Sequence, residues 1–194
     1  MAVNRGLLAV SLGVAVVVSV TGGWLLSSDD SSGIAADDQV SYNSAVVAQI
    51  PSIGTNAQVE GDPLPDITVQ DNDGNDVALR SLIGTPLIIN FWYSTCGPCK
   101  VELSGFGKVH AELGDQIRFV GINPSDTPEV NVSFAADRGV RYELLRDPDG
   151  AYSDAVGIAT APVTLFVAAD GTIVRQTGVL DEAELRQYAE QLLA

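Results

Sequence analysis

The alternation of apolar and polar positions changes character several times along this chain. Residues 7–26 run without a charged side chain, and residues 27–59 are then rich in Ser, Asp, Ala, Gly and Asn with no sustained period. From residue 60 the pattern is that of a folded domain. Residues 63–70 end in strand-like alternation, 71–76 are dense in turn formers, and 77–79 resume an apolar run, which predicts an N-terminal β-hairpin. Residues 87–92 are apolar except for Asn90 and lack polar alternation, the mark of a strand buried on both faces.

Helical spacing follows over residues 96–113, with Val101, Phe106, Val109 and Leu113 as an apolar stripe and Gly114 as its end. A strand is predicted over 117–123. A helix opens within Pro124-Ser125-Asp126-Thr127-Pro128 and runs to about Arg138. Residues 142–145 read as a strand, 147–150 as a turn and 151–156 as a short helix. Residues 163–167 and 172–175 flank Asp170-Gly171 as a hairpin, and Asp181 with Glu184 opens a last helix whose inner face is Leu185, Tyr188 and Leu192. After the first hairpin the order is β-α-β-α-β-α-β-β-α, a mixed α/β sandwich.

The N-terminal run changes the picture of where this domain works. At about 1.5 Å of rise per residue, residues 7–26 span about 30 Å, the thickness of a bilayer core. Arg5 precedes the run, and Asp29, Asp30, Asp37 and Asp38 follow it, so the positive-inside bias sets the rest of the chain outside the cytoplasm. The expected organisation is a cytoplasmic N-terminus over 1–6, a transmembrane anchor over 7–26, a flexible polar linker over 27–59 and one domain over 60–194. A cleaved signal peptide is the competing reading of the first segment, and it too exports the domain.

The net charge of −15, from 10 Lys and Arg against 25 Asp and Glu, argues against a nucleic-acid partner, because the sequence has no basic patch to neutralise phosphates. The chain has two cysteines, Cys96 and Cys99, at CxxC spacing just after the buried strand. A disulfide across two residues closes too small a loop to stabilise a fold appreciably. A redox role is the better reading, since the first cysteine falls where a strand hands over to a helix, whose N-terminus favours a thiolate. With two cysteines and one histidine, His110, which is read as a surface residue too far along the helix to join them, no metal site is expected. A peroxidase is excluded by the absence of the Pro-x-x-x-Thr/Ser-x-x-Cys context. Asn131-Val132-Ser133 is a sequon by pattern only.

Cys96-Gly97-Pro98-Cys99 after a buried strand, Ala161-Pro162-Val163-Thr164-Leu165-Phe166-Val167 followed by Asp170-Gly171, and the strand-helix material between about 125 and 156 together resemble one family over about residues 60–194. It is the membrane-anchored thiol-disulfide oxidoreductases of the TlpA/ResA type. The resemblance implies a thioredoxin-like fold: three layers, α/β/α, around a central mixed sheet, with an N-terminal β-hairpin and an αβ insertion. It implies that Cys96 is the nucleophile, that Cys99 is the resolving thiol, and that Gly97 and Pro98 tune the potential. Pro162 would be a cis-proline facing the dithiol, and the backbone of Ala161 would pair with substrate. Glu102 would be a proton acceptor, Asn90 standing where thioredoxin has a buried aspartate.

Two residues depart from the family pattern: Thr95 stands where many members have tryptophan, and Ser104 where many have proline. Thr95 makes the rim around Cys96 smaller and more polar. The implied activity is reduction of disulfides in exported proteins, for example the haem-binding CxxC of apocytochrome c, fed by a membrane electron-transfer partner and needing no cofactor. The alternatives are an oxidase that inserts disulfides and, behind it, a metal-delivery module.

Overall fold

The computed structural model describes residues 55–194. Seven strands form one sheet in the order β2-β1-β5-β4-β3-β6-β7. β3 (Leu87–Phe91) is parallel to β4 (Arg118–Asn123), which is parallel to β5 (Glu143–Arg146). β6 (Val163–Val167) runs antiparallel to β3 on its other side and turns into β7 (Ile173–Thr177). The predicted N-terminal hairpin is β1 (Thr68–Gln70) with β2 (Asp76–Ala78), and β1 adds to β5 antiparallel. At the β6–β7 turn, Gly171 has φ +94°, a conformation a side chain would strain.

β3 is buried at every position, as a strand covered on both faces requires. Its side chains alternate between two cores. Leu87, Ile89 and Phe91 join a cluster with Tyr152 and Val156 of the short helix α3 (Ala151–Val156) and with Leu79 and Leu82 of a 3₁₀ turn (Leu79–Leu82). Ile88 and Trp92 join the opposite cluster, built on α1 (Gly97–Leu113), α2 (Pro128–Ala136) and α4 (Glu182–Leu192). The result is the three-layer α/β/α arrangement expected from the sequence. The Asp181–Glu184 capping box of α4 is fully formed.

Several local expectations are corrected. Val101 is 80% exposed and is not part of the α1 stripe. At 100° per residue the inner face passes instead through Cys99, Glu102, Leu103, Phe106, Gly107 and Val109. The start of α2 falls inside the expected range, at Pro128 capped by the Thr127 hydroxyl, because Asn123 Oδ1 accepts the N–H groups of Ser125 and Asp126 and holds that stretch as a loop. His110 is half-buried, with its ring edge-on to Phe119 and Tyr142, and burial lowers its pKa. Asn131 of the sequon is fully buried and donates to Asn72 Oδ1, so the folded chain does not present it.

Residues 56–59, read as the end of the linker, are hydrogen-bonded to the domain. Asn56 Oδ1 accepts from the N–H groups of Ala159 and Thr160, and Gln176 bonds both Ala57 and Val59. These ties are polar and carry no hydrophobic period to read. The expected transmembrane segment, 7–26, lies outside the described residues. Among those residues no helix is long and apolar enough to cross a membrane.

α1 meets the turn after α2 backbone to backbone. A Cβ on Gly107 would lie 2.7 Å from Gly139 O and 2.8 Å from Gly139 C. Alanine is the better helix former by about 1 kcal/mol, yet Gly107→Ala is expected to destabilise the domain by about 1–3 kcal/mol through overpacking. Denaturant unfolding measures this, and a more stable Gly107→Ala protein would contradict the packing described.

Candidate functional site

The sheet register brings three chain segments to one end. Phe91, the last residue of β3, pairs with Ile122 near the end of β4 and with Val163 at the start of β6. The β3–α1 connection with Cys96, the β4–α2 loop, and Ala161-Pro162 before β6 therefore lie together beyond the carboxyl ends of the parallel strands, the edge where α/β sheets place their sites.

Leaving β3, the chain makes a turn in which Cys96 N–H donates to Tyr93 O at 3.1 Å. Cys96 is the N-cap of α1, Gly97 and Pro98 fill the first helical positions, and Cys99 follows in the first turn. Proline is at home there because its missing N–H would have had no helical partner. Cys96 and Cys99 are joined, with S–S 2.01 Å. Cys99 N–H points at Cys96 Sγ from 3.3 Å, so one of the free amides at the helix start faces that sulfur. In the reduced protein this amide and the helix dipole favour a thiolate at Cys96. Cys96 retains 6% exposure and Cys99 none. Thr95, Gly97 and Pro98 are exposed around the pair.

The Ala161–Pro162 peptide is cis. Pro162 is buried, while Ala161 is half-buried and packs against the cluster that contains both cysteines. These residues sit where the sequence places them.

Glu102 is on the inner face of α1, 4% exposed. Asn90 Nδ2 of β3 donates to Glu102 Oε1 at 3.1 Å and to Thr164 Oγ1 at 3.2 Å, and Leu180 N–H donates to Glu102 Oε2 at 3.2 Å. Burial outweighs these two bonds and pushes the pKa up to about 7. The carboxylate is not sealed in. It lines a groove of about 350 Å³ between α1 and the loop into α4, bordered by Val101, Lys108 and Val179. Burial, with Glu102 nearby, also raises the pKa of Tyr142.

The roles of Leu180 and Thr164 were not legible, the first because a backbone N–H has no sequence signature. A third arrangement was missed. The Asp126 carboxylate of the β4–α2 loop accepts Ser94 N–H at 2.7 Å, Ser94 Oγ–H at 2.6 Å and Asn123 Nδ2–H at 2.7 Å. An Asn-Pro-Ser-Asp run at a strand end is a turn signal that marks this loop.

A model of the AhpC/TSA family matches residues 60–183. Thiol-disulfide oxidoreductase ResA of Halalkalibacterium halodurans is 29% identical over 133 residues, covering 67% of this chain and 75% of the relative. ResA of Bacillus subtilis is 26% identical over 131 residues, covering 66% and 73%. A solved structure of a secreted Mycobacterium tuberculosis disulfide oxidoreductase homologous to E. coli DsbE is similar, with TM-score 0.58 and 25% identity over 65% of this chain and 96% of that one. The chain belongs to the AhpC/TSA family, has the thioredoxin-like fold and is a homologue of the ResA proteins. With its paired cysteines it is a thiol-disulfide oxidoreductase.

Glu102 makes stability depend on pH. Its folded pKa of about 7 lies above the ordinary glutamate value of 4.5, so the folded protein holds a proton that the unfolded chain has lost. This contribution is intact below about pH 4.5, fades as pH rises towards 7 and is gone above it, a loss of about 3 kcal/mol. Glu102→Gln is expected to remove that decline relative to the parent oxidised protein. Denaturant titrations at several pH values measure it, and parallel profiles for the two proteins would contradict a buried, titrating Glu102.

Proposed function

We propose that this protein is an exported, membrane-tethered reductase of protein disulfides. The observation that carries the catalytic reading is the Cys96–Cys99 pair at the head of α1, beside the buried carboxylate of Glu102.

In the reduced enzyme the Cys96 thiolate attacks one sulfur of a substrate disulfide. A mixed disulfide forms and the first substrate thiolate leaves, to be protonated. Cys99, one helical turn on and shielded from solvent, then attacks Cys96 Sγ, which frees the second substrate thiolate and closes the enzyme disulfide seen here. The substrate gains two electrons and the enzyme loses two. Cys99 must lose a proton to attack, and Glu102, with a pKa of about 7, is suited to take it near neutral pH and to release it through its groove. The cis Ala161–Pro162 segment, at the same end of the sheet, supports a role in pairing with the extended backbone of a substrate, with Gly97, Pro98 and Thr95 as the rim around it.

The apolar run at 7–26 supports tethering outside the cytoplasm, where exported proteins with disulfides, apocytochrome c among them, would be the substrates. A membrane partner would then return the electrons.

Cys96→Ser is expected to reduce turnover to the uncatalysed background. Cys99→Ser is expected to accumulate mixed disulfides through Cys96 with exported proteins, visible on non-reducing gels and released by dithiothreitol. No trapped protein with Cys99→Ser, or full turnover with Cys96→Ser, would contradict the proposal.

A further inference from the structure

We propose that Asp126 is a positioning residue for the dithiol, clamping the turn that ends in Cys96 and, through its charge, restraining the reactivity of that sulfur. The inference rests on the reading of Cys96 as the attacking sulfur.

Ser94 and Thr95 are the central residues of the turn closed by Cys96 N–H on Tyr93 O. Asp126 grips Ser94 with both carboxylate oxygens, one on the backbone N–H at 2.7 Å and one on the hydroxyl at 2.6 Å. The clamp is itself anchored. Asn123, fully buried at the end of β4, donates to the Asp126 carboxylate and accepts Asp126 N–H at 2.9 Å. Thus β4, the neighbour of β3, fixes the loop that β3 feeds, and the position of Cys96 does not depend on α1 alone. Hydrogen bonds to a charged acceptor are about twice as strong as neutral ones, which suits a tie between two loops.

All three donors are uncharged, so the hydrogen bonds leave the carboxylate its charge. Two residues span at most about 7 Å, which puts that charge on the order of 10 Å from Cys96 Sγ. The other ionisable groups close to Cys96 are Tyr93 in the same turn, its partner Cys99, Lys100, exposed on the first turns of α1, and Glu102, buried on its inner face; Lys108, His110 and Glu112 lie further along α1, and Glu129 at the start of α2. The Cys99 N–H, the helix dipole and Lys100 favour the thiolate, while Asp126 opposes it. A charge that disfavours the thiolate favours the disulfide and makes the dithiol a stronger electron donor.

The test follows the alkylation of each cysteine against pH in the reduced full-length protein, with Asp126→Asn, Asp126→Ser and Ser94→Ala. Both Asp126 variants keep a side-chain oxygen that can accept from Ser94 and remove the charge. They are expected to lower the Cys96 pKa by about half to one unit, giving about three- to tenfold more thiolate below that pKa. Ser94→Ala keeps the charge and is expected to leave the pKa in place. If Cys96 is not the faster-alkylated thiol in the parent protein, the reading of the site fails. If it is, and neither Asp126 variant lowers its pKa, the clamp inference alone is overturned. Failure of both Asp126 variants to fold also overturns it, since Asp126 would then serve the fold rather than the sulfur.

Discussion

The pairing of β3 with β4 on one side and β6 on the other is the constraint on which the site depends. β3 is buried at every position and has no polar face on which to slip. A register shift of one residue would exchange Ile88 and Trp92 with Ile89 and Phe91 between the two cores and break both helical layers. With that register set, the end of β3, the end of β4 and the start of β6 cannot move apart, and each delivers one part of the site: the dithiol, the Asp126 loop and the cis-proline.

The same strand brings a polar group into the core. Asn90 is 1% exposed and holds Glu102 and Thr164 together across β3, α1 and β6. Its own Oδ1 has no hydrogen-bond partner among the described residues. Such an arrangement is expensive, because a buried carboxylate loses its hydration and an unmet acceptor adds to the cost. Apolar residues there would stabilise the fold more. What the arrangement supplies is a carboxyl group with a pKa raised to about 7 one helical turn beyond Cys99, with a groove beside it, which suits the proton acceptor we propose. Under the proposed mechanism, stability is given up at the place where the proton transfer occurs.

Much of this was legible in the sequence where a local rule and the tertiary environment agree. The apolar run of β3, interrupted by Asn90 alone, the Asp-Gly turn before β7, the Asp181–Glu184 box and the Cys-Gly-Pro-Cys motif each have one structural meaning, and each has it here. The misreadings occur where the two disagree. Val101 is apolar but exposed beside the groove that Glu102 lines, so hydrophobicity pointed to the wrong face of α1. His110 is polar but sheltered by two aromatic rings, Phe119 of β4 and Tyr142 just before β5. Within Pro124–Pro128 the helix starts at the last residue, because Asn123 holds the preceding ones by side-chain bonds that compete with helix formation. The Ser94–Asp126 and Glu102–Leu180 bonds join residues far apart in the chain, which no periodicity records.

The central claim is that this dithiol gives electrons rather than takes them. The most direct measurement is the reduction potential of the Cys96–Cys99 couple in the purified protein, equilibrated in glutathione or dithiothreitol buffers and read by thiol labelling. The account predicts a value near −270 mV, about that of thioredoxin, so that reduction of substrates needs a supply of electrons from across the membrane. A value near −120 mV, about that of a strong disulfide donor, would contradict it and make the protein an oxidase.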